Sequence, residues 1–119
     1  MVVTLFGIAS CDSCRKARRW LEKQGIDYRY HDIRIDGLDR KDLSNWVSKA
    51  GSDKVLNRRS ATWRQVPDVD KHLDDDDDAI ALMLRSPTLI KRPILKAGST
   101  LMIGFEEGEY SRVLGKKKA

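Results

Sequence analysis

Residues 2–30 read VVTLFGIASCDSCRKARRWLEKQGIDYRY. Val2 to Phe6 is apolar and β-branched and runs into Gly7, the pattern of a buried strand. Cys11 to Gln24 carries Ala17, Trp20, Leu21 and Gln24 on one helical face. Gly25 follows, and glycine is the residue that most readily takes the left-handed conformation that ends a helix. Ile26, Tyr28 and Tyr30 then alternate with polar residues, as a second strand does. A strand, a helix and a strand in so short a span predict two parallel strands joined by a crossover helix.

Outward from this unit, Asp39 is a good N-cap, and Leu38 is placed to staple onto Leu43. Leu43, Trp46, Val47 and Ala50 form the apolar face of the helix that follows, and Gly51 ends it. Ser52 to Ser60 reads as a basic loop, and Ala61 to Val66 as one helical turn before Pro67. The run Asp74–Asp78 has two readings, a cation site or the first turn of a helix through Ala79, Ile80, Met83 and Leu84. The second is favoured. Consecutive helical side chains point different ways and cannot converge on one ion, whereas carboxylates suit the positive end of the helix dipole. Ile94–Ala97 and Leu101–Ile103, separated by Gly98-Ser99, predict an antiparallel hairpin. Glu106 to Leu114 predicts a terminal helix with Tyr110, Val113 and Leu114 inward. The order β-α-β, helices, β-β-α is that of an α/β, thioredoxin-like fold: a four-stranded mixed sheet with flanking helices. One domain is expected over 1–119, with a helical insertion at about 38–90 and a flexible tail at 115–119.

A chain of 119 residues can bury roughly two-thirds of its unfolded surface, so it needs no disulfide or metal to hold a core. No apolar run approaches the ~20 residues of a membrane span. The stretch from Met1 to Ser10 has no basic residue before its apolar run, unlike a secretory signal, so a cytoplasmic location is expected. The net charge is +5. The basic residues are scattered, apart from Arg15, Lys16, Arg18 and Arg19 and the terminal lysines, and no DNA-reading element accompanies them, so direct nucleic-acid binding is not expected. No exposed apolar stripe calls for an obligate dimer, and a monomer is expected.

Cys11 and Cys14 are the only cysteines. A bond between them would close a very small loop and constrain the unfolded chain little, so a structural staple is a poor reading. Zinc needs about four ligands, and His31 and His72 lack metal-type spacing, so no metal is expected. The pair follows a strand and opens a helix, where unpaired backbone N–H groups stabilise a thiolate, the species that attacks a disulfide. Cys11, at the helix start with Arg15 and Lys16 nearby, is the candidate nucleophile, with a pKa expected below the free value of about 8.5. Cys14 is either a resolving thiol that attacks a mixed disulfide on Cys11 or a small buried hydrophobe on the Ala17 and Leu21 face.

Three further stretches add to Cys11-Asp12-Ser13-Cys14-Arg15-Lys16-Ala17: Val55-Leu56-Asn57-Arg58-Arg59 with Thr62-Trp63-Arg64, Ser86 to Ile94, and Ile103-Gly104-Phe105. With these the chain resembles the arsenate reductase (ArsC) family, which includes the Spx-type regulators, and most of all its YffB-like branch of suspected glutathione-dependent thiol reductases. The resemblance covers nearly the whole chain. It implies a thioredoxin-like fold with a helical insertion and a cis Arg92-Pro93 bond beside the reactive cysteine, leaving a backbone edge for a substrate peptide. Glutathione is the implied co-substrate, with no tightly bound cofactor. Cys11, Cys14 and Arg92 are the candidate catalytic residues. Ser10, Asp12, Ser13, Arg15, Arg58, Arg59, Arg92 and Pro93 are the candidate substrate- or glutathione-binding set. Arg92 also admits the plainer reading of a surface ion pair. The family's arsenate-reducing members hold the oxyanion with three arginines. Arg92 matches one, Asn57 stands at another with Arg58 and Arg59 beside it, and Gly104 stands at the third. Binding a doubly charged oxyanion needs converging donors, so arsenate reduction is an alternative rather than the leading reading. Cys14 is the feature shared with Spx-type proteins, in which the pair is a redox switch and the partner is the RNA polymerase alpha subunit. Gly51 matches the glycine those regulators use at that contact and equally suits a helix end.

Overall fold

The computed structural model describes residues 2–115. Four strands, β1 (Val3–Gly7), β2 (Arg29–Asp32), β3 (Ile94–Ala97) and β4 (Thr100–Ile103), form one mixed sheet in the order β2-β1-β3-β4. β2 runs parallel to β1, with Thr4 opposite Arg29 and Gly7 opposite Asp32. β3 is antiparallel to both β1 and β4, placing Leu5 opposite Leu95 and Ile94 opposite Ile103. The α-helices among the described residues are α1 (Asp12–Lys23), α2 (Arg40–Ala50), α3 (Ser52–Val55), α4 (Ala61–Gln65), α5 (Asp76–Arg85) and α6 (Glu107–Leu114). The architecture is thioredoxin-like, as the element order predicts.

The chain divides into two compact units, Gly37–Lys91 and the remainder on either side of it. In the sheet-bearing unit, Val3, Leu5, Ala17, Trp20, Leu21, Leu95, Ala97 and Tyr110 form a buried apolar cluster. Tyr110 meets Trp20 and Phe105 edge-on, and its hydroxyl donates to the Gly104 carbonyl at 2.9 Å, so the one polar atom it buries is satisfied. In Gly37–Lys91 the helices begin on their own caps. Asp39 accepts from the Lys41 N–H, Ser60 from the Trp63 N–H, and Asp75 from the Asp78 N–H. Asp78 in turn accepts from the Asp74 N–H, so the aspartate run is a reciprocal cap at the start of α5. Leu43, Trp46, Val55, Met83, Leu89 and Ile90 are buried there.

Three expectations change. The first strand is Val3–Gly7, and Val2 lies before it with 68% of its surface exposed. The second strand is Arg29–Asp32 rather than one beginning at Ile26. The Gly25 N–H donates to the Glu22 carbonyl and the Ile26 N–H to the Leu21 carbonyl, so both residues close α1 in a Schellman arrangement. Ser52 to Ser60 is not all loop. It opens with α3 and a bridge between Leu56 and Ile90, and Val55 and Leu56 are buried. Four residues offer no helical period, and the flanking Asp53 and Lys54 conceal the apolar pair. Of the expected flexible tail, 116–119 lies outside the described residues.

Candidate active site

β1 ends at Gly7, and the loop Ile8–Ser10 leads to Cys11, which is the N-cap of α1. The Cys11 N–H donates to the Ile8 carbonyl at 3.0 Å and its carbonyl accepts from the Arg15 N–H, so the residue is tied into the loop and the helix together. Cys11 is partly exposed, whereas Cys14 is 1% exposed. The Cys14 sulfur reaches the sheet because residue 7 is glycine. A Cβ there would come within 2.6 Å of the Cys14 Sγ.

The two thiols are placed in opposite electrostatic situations. Partial burial pushes the Cys11 thiol up. Hydrogen bonds from the Cys14 thiol and backbone and from the Arg92 guanidinium, with the guanidinium's charge, outweigh that and leave it below an ordinary thiol. Burial pushes the Cys14 thiol up to about 12, with the neighbouring Cys11 adding to the rise against a backbone hydrogen bond from Ile8. The pair is therefore split into one thiol that ionises readily and one that stays protonated and donates to it.

Arg92 belongs to the same unit and precedes the cis Arg92-Pro93 bond that leads into β3. Pro93 is fully buried, and its carbonyl accepts from the Gly104 N–H at 2.7 Å. Gly104 thus contributes a backbone contact to this turn at φ +90. Arg15 is otherwise occupied than its place in sequence suggests. Its guanidinium donates to the Ala9 carbonyl at 3.2 Å and pairs with Asp12 at 3.5 Å, while Lys16 pairs with Asp12 at 3.6 Å. The guanidinium that acts on the Cys11 sulfur is that of Arg92. Ser10, Asp12 and Ser13 are exposed around Cys11.

Arg58 and Arg59 lie in the other unit. The Arg58 guanidinium is 3.0 Å from an Asp53 carboxylate oxygen and 5.4 Å from the centre of the Trp63 ring, with Lys71 also over that ring at 5.3 Å. The Arg59 N–H donates to the Asn57 side-chain oxygen, so Asn57 acts as a turn residue in this loop. Among the described residues no three His, Cys, Asp or Glu side chains converge as a metal set.

Asp32 is the residue of this neighbourhood that sequence reasoning missed. At the end of β2 it is 5% exposed, and its carboxylate accepts from the N–H groups of Arg34, Ile35 and Ala9. Burial pushes this carboxyl up, and the three N–H groups outweigh it and hold it below the usual range. An aspartate that closes a strand and bonds backbone two and three residues on is an Asx-turn signal. Ending the second strand at Tyr30 hid it.

The model of the ArsC family matches residues 6–113. An uncharacterised protein of Haemophilus influenzae is 39% identical over 109 residues, 92% of this chain and 96% of that protein. The global transcriptional regulator Spx of Streptococcus pyogenes serotype M3 is 36% identical over 117 residues, 97% of this chain and 87% of the regulator. The solved structure of the YffB (PA3664) protein superposes with a TM-score of 0.91 at 38% identity, covering 95% of this chain and 99% of that one.

Proposed function

The chain belongs to the ArsC family, and from that premise we propose that it is a glutathione-dependent thiol–disulfide reductase with Cys11 as nucleophile. One observation carries the reading: Cys11 is the N-cap of α1 and its thiol is held below the ordinary range by hydrogen bonds from Cys14 and Arg92. The Cys11 thiolate attacks one sulfur of the substrate disulfide. A Cys11 mixed disulfide forms and the other sulfur leaves as a thiolate, which takes up a proton. A glutathione thiolate attacks the Cys11 mixed disulfide and releases the second substrate thiol. A second glutathione then frees Cys11 and leaves oxidised glutathione, so two electrons pass from two glutathiones to one disulfide. Cys14, buried and protonated up to about 12, attacks poorly, which favours glutathione as the resolving thiol.

The test is glutathione-coupled reduction of a small model disulfide by the wild type, Cys11→Ser and Cys14→Ser. Turnover that vanishes in Cys11→Ser and survives in Cys14→Ser is expected. Equal turnover in wild type and Cys11→Ser overturns the mechanism.

A second reading rests on the hydrogen bond between the two thiols and on the likeness to Spx: a Cys11–Cys14 disulfide as a redox signal that alters binding to the RNA polymerase alpha subunit. Oxidation-dependent capture of that subunit, with no disulfide turnover, would put this reading first. Arsenate reduction by the same nucleophile has less support, because Asn57 and Gly104 stand where two oxyanion-holding arginines would be. Arsenate-dependent oxidation of glutathione would reinstate it.

A further inference from the structure

Between Ile8, which is buried, and Cys14, the chain offers the core no buried side chain, so hydrogen bonds must fix the loop that delivers Cys11. Those bonds converge on the Ala9 peptide. Its carbonyl accepts from Arg15 at 3.2 Å, and its N–H donates to Asp32 Oδ2 at 3.2 Å. The Asp32 carboxylate is itself set by the turn after β2. Oδ1 accepts from the Arg34 and Ile35 N–H groups at 2.9 and 3.1 Å, leaving Oδ2 directed at the loop. The turn is closed on the main chain as well. The Asp32 N–H donates to Asp36 Oδ2 at 3.0 Å, and the Asp36 N–H donates to the Asp32 carbonyl at 2.7 Å. One strand end thus holds the loop between the other strand and the helix. A buried carboxylate is retained only where its acceptors are filled, and here the backbone of two separate turns fills them.

We propose that Asp32 is the positioning residue of this site, its carboxylate holding the Ile8–Ser10 loop so that Cys11 stands at the N-terminus of α1 with its sulfur facing Cys14 and Arg92. The proposal rests on the reading of Cys11 as nucleophile. Asp32 acts through geometry and touches no reacting atom. The charged and titratable groups bearing on Cys11 are Cys14 from α1 and Arg92 from the turn before β3, with the Tyr30 phenol of β2 also within its field. Those around Asp32 are Tyr30 on its own strand, and Arg34 and Asp36 in the turn that follows.

The sign of the effect separates positioning from simple charge. Removing a negative charge near a thiolate makes the thiolate easier to form, so a pure charge effect speeds Cys11. Loss of the loop takes Cys11 away from its donors and slows it. Asp32→Asn is nearly isosteric. Its oxygen can keep the turn amides, while its NH2 group then meets the Ala9 N–H donor to donor. Asp36→Asn removes a charge from the same turn and keeps a side-chain oxygen that can accept from the Asp32 N–H, so the turn is retained.

The experiment is the pH profile of iodoacetamide alkylation of Cys11 in the reduced full-length protein, read on the Cys11 peptide by mass spectrometry, with thermal unfolding to confirm folding. In wild type the midpoint falls below about 8.5. In Asp32→Asn it rises by about one unit, so that alkylation at neutral pH slows about tenfold, and in Asp36→Asn it stays. Folded Asp32→Asn alkylated at the wild-type rate or faster overturns the proposal, and so does an equal slowing in Asp36→Asn. Hydrogen exchange of the Ala9 amide in wild type needs no variant: protection like that of the Ile33 amide, which donates to the Gly7 carbonyl at 3.0 Å just past β2, is expected, and free exchange overturns the proposal. A wild-type midpoint at or above the free-thiol value overturns the nucleophile reading itself, and this proposal with it, before any variant is made.

Discussion

In the unit that carries the thiols, the decisive contacts join residues far apart in the chain: Ala9 with Asp32, Leu5 with Leu95, Cys11 with Arg92. In Gly37–Lys91 the helix caps close over a few residues. Asp39 serves Lys41, Ser60 serves Trp63, Asp75 serves Asp78 and Arg58 pairs with Asp53, while the Arg40–Asp77 ion pair, the Leu56–Ile90 bridge and the Thr62–Thr88 hydroxyl pair reach further along the chain. A helix can supply its own polar partners from its own turn, so local sequence suffices to cap the helices of that region. A thiolate needs donors aimed at one sulfur from several directions, and only a sheet register with its connecting turns brings these together. The proposed chemistry accordingly falls where the contacts are non-local.

The harshest test of that contrast is Cys11→Ser, which should lose all measurable disulfide turnover with an unchanged melting temperature. A variant that unfolds instead would mean the residue matters for packing. Next come the two cores. Leu95→Ala should cost about 2–5 kcal/mol and Trp46→Ala about 3–5 kcal/mol in urea unfolding. A single transition in both is expected for a chain of this size. A Trp46→Ala protein that keeps β1 amides protected while α2 exchanges would show the regions unfolding separately. Arg92→Ala should raise the Cys11 alkylation midpoint by about one unit, or about 1.4 kcal/mol, with little loss of stability. Acidification sharpens the same point through Asp32. Its folded pKa is depressed, so its contribution is present above the unfolded value of about 3.9 and is lost as pH falls through the lower folded value. Acid unfolding followed by circular dichroism should show a loss in that window that Asp32→Asn flattens. The smallest effect belongs to Arg58→Ala. Its pair with Asp53 is solvent-exposed, and the stability change should stay within about 1 kcal/mol by chemical denaturation. A larger loss would make the Arg58–Trp63 contact a real support of the second unit.

Where a residue's partner lies within a turn of it, the amino-acid pattern could be read directly. Cys11 at the head of α1, Gly25 at its end, Asp39 before α2 and the aspartates before α5 were legible because caps are local hydrogen bonds between near neighbours. The hairpin of β3 and β4 was legible from its alternation and its short turn. The limits of β2 were not. Ile26 is apolar and looked like strand, yet its N–H belongs to the Schellman closure of α1, and whether an amide joins a helix end or a ladder depends on where the next strand lies. α3 was hidden because four residues carry no period.

The site divides in the same way. By itself the sequence determined that two thiols three residues apart open a helix after a strand, which settles which cysteine sits at the positive end of the helix. Only the tertiary structure decided that the guanidinium acting on Cys11 is Arg92 and not Arg15, that Cys14 lies against Gly7 out of water, and that Asp32 holds the loop between them. Backbone capping depends on neighbours along the chain. Burial, and the direction in which a distant side chain donates, depend on strand register, and no residue carries that information alone.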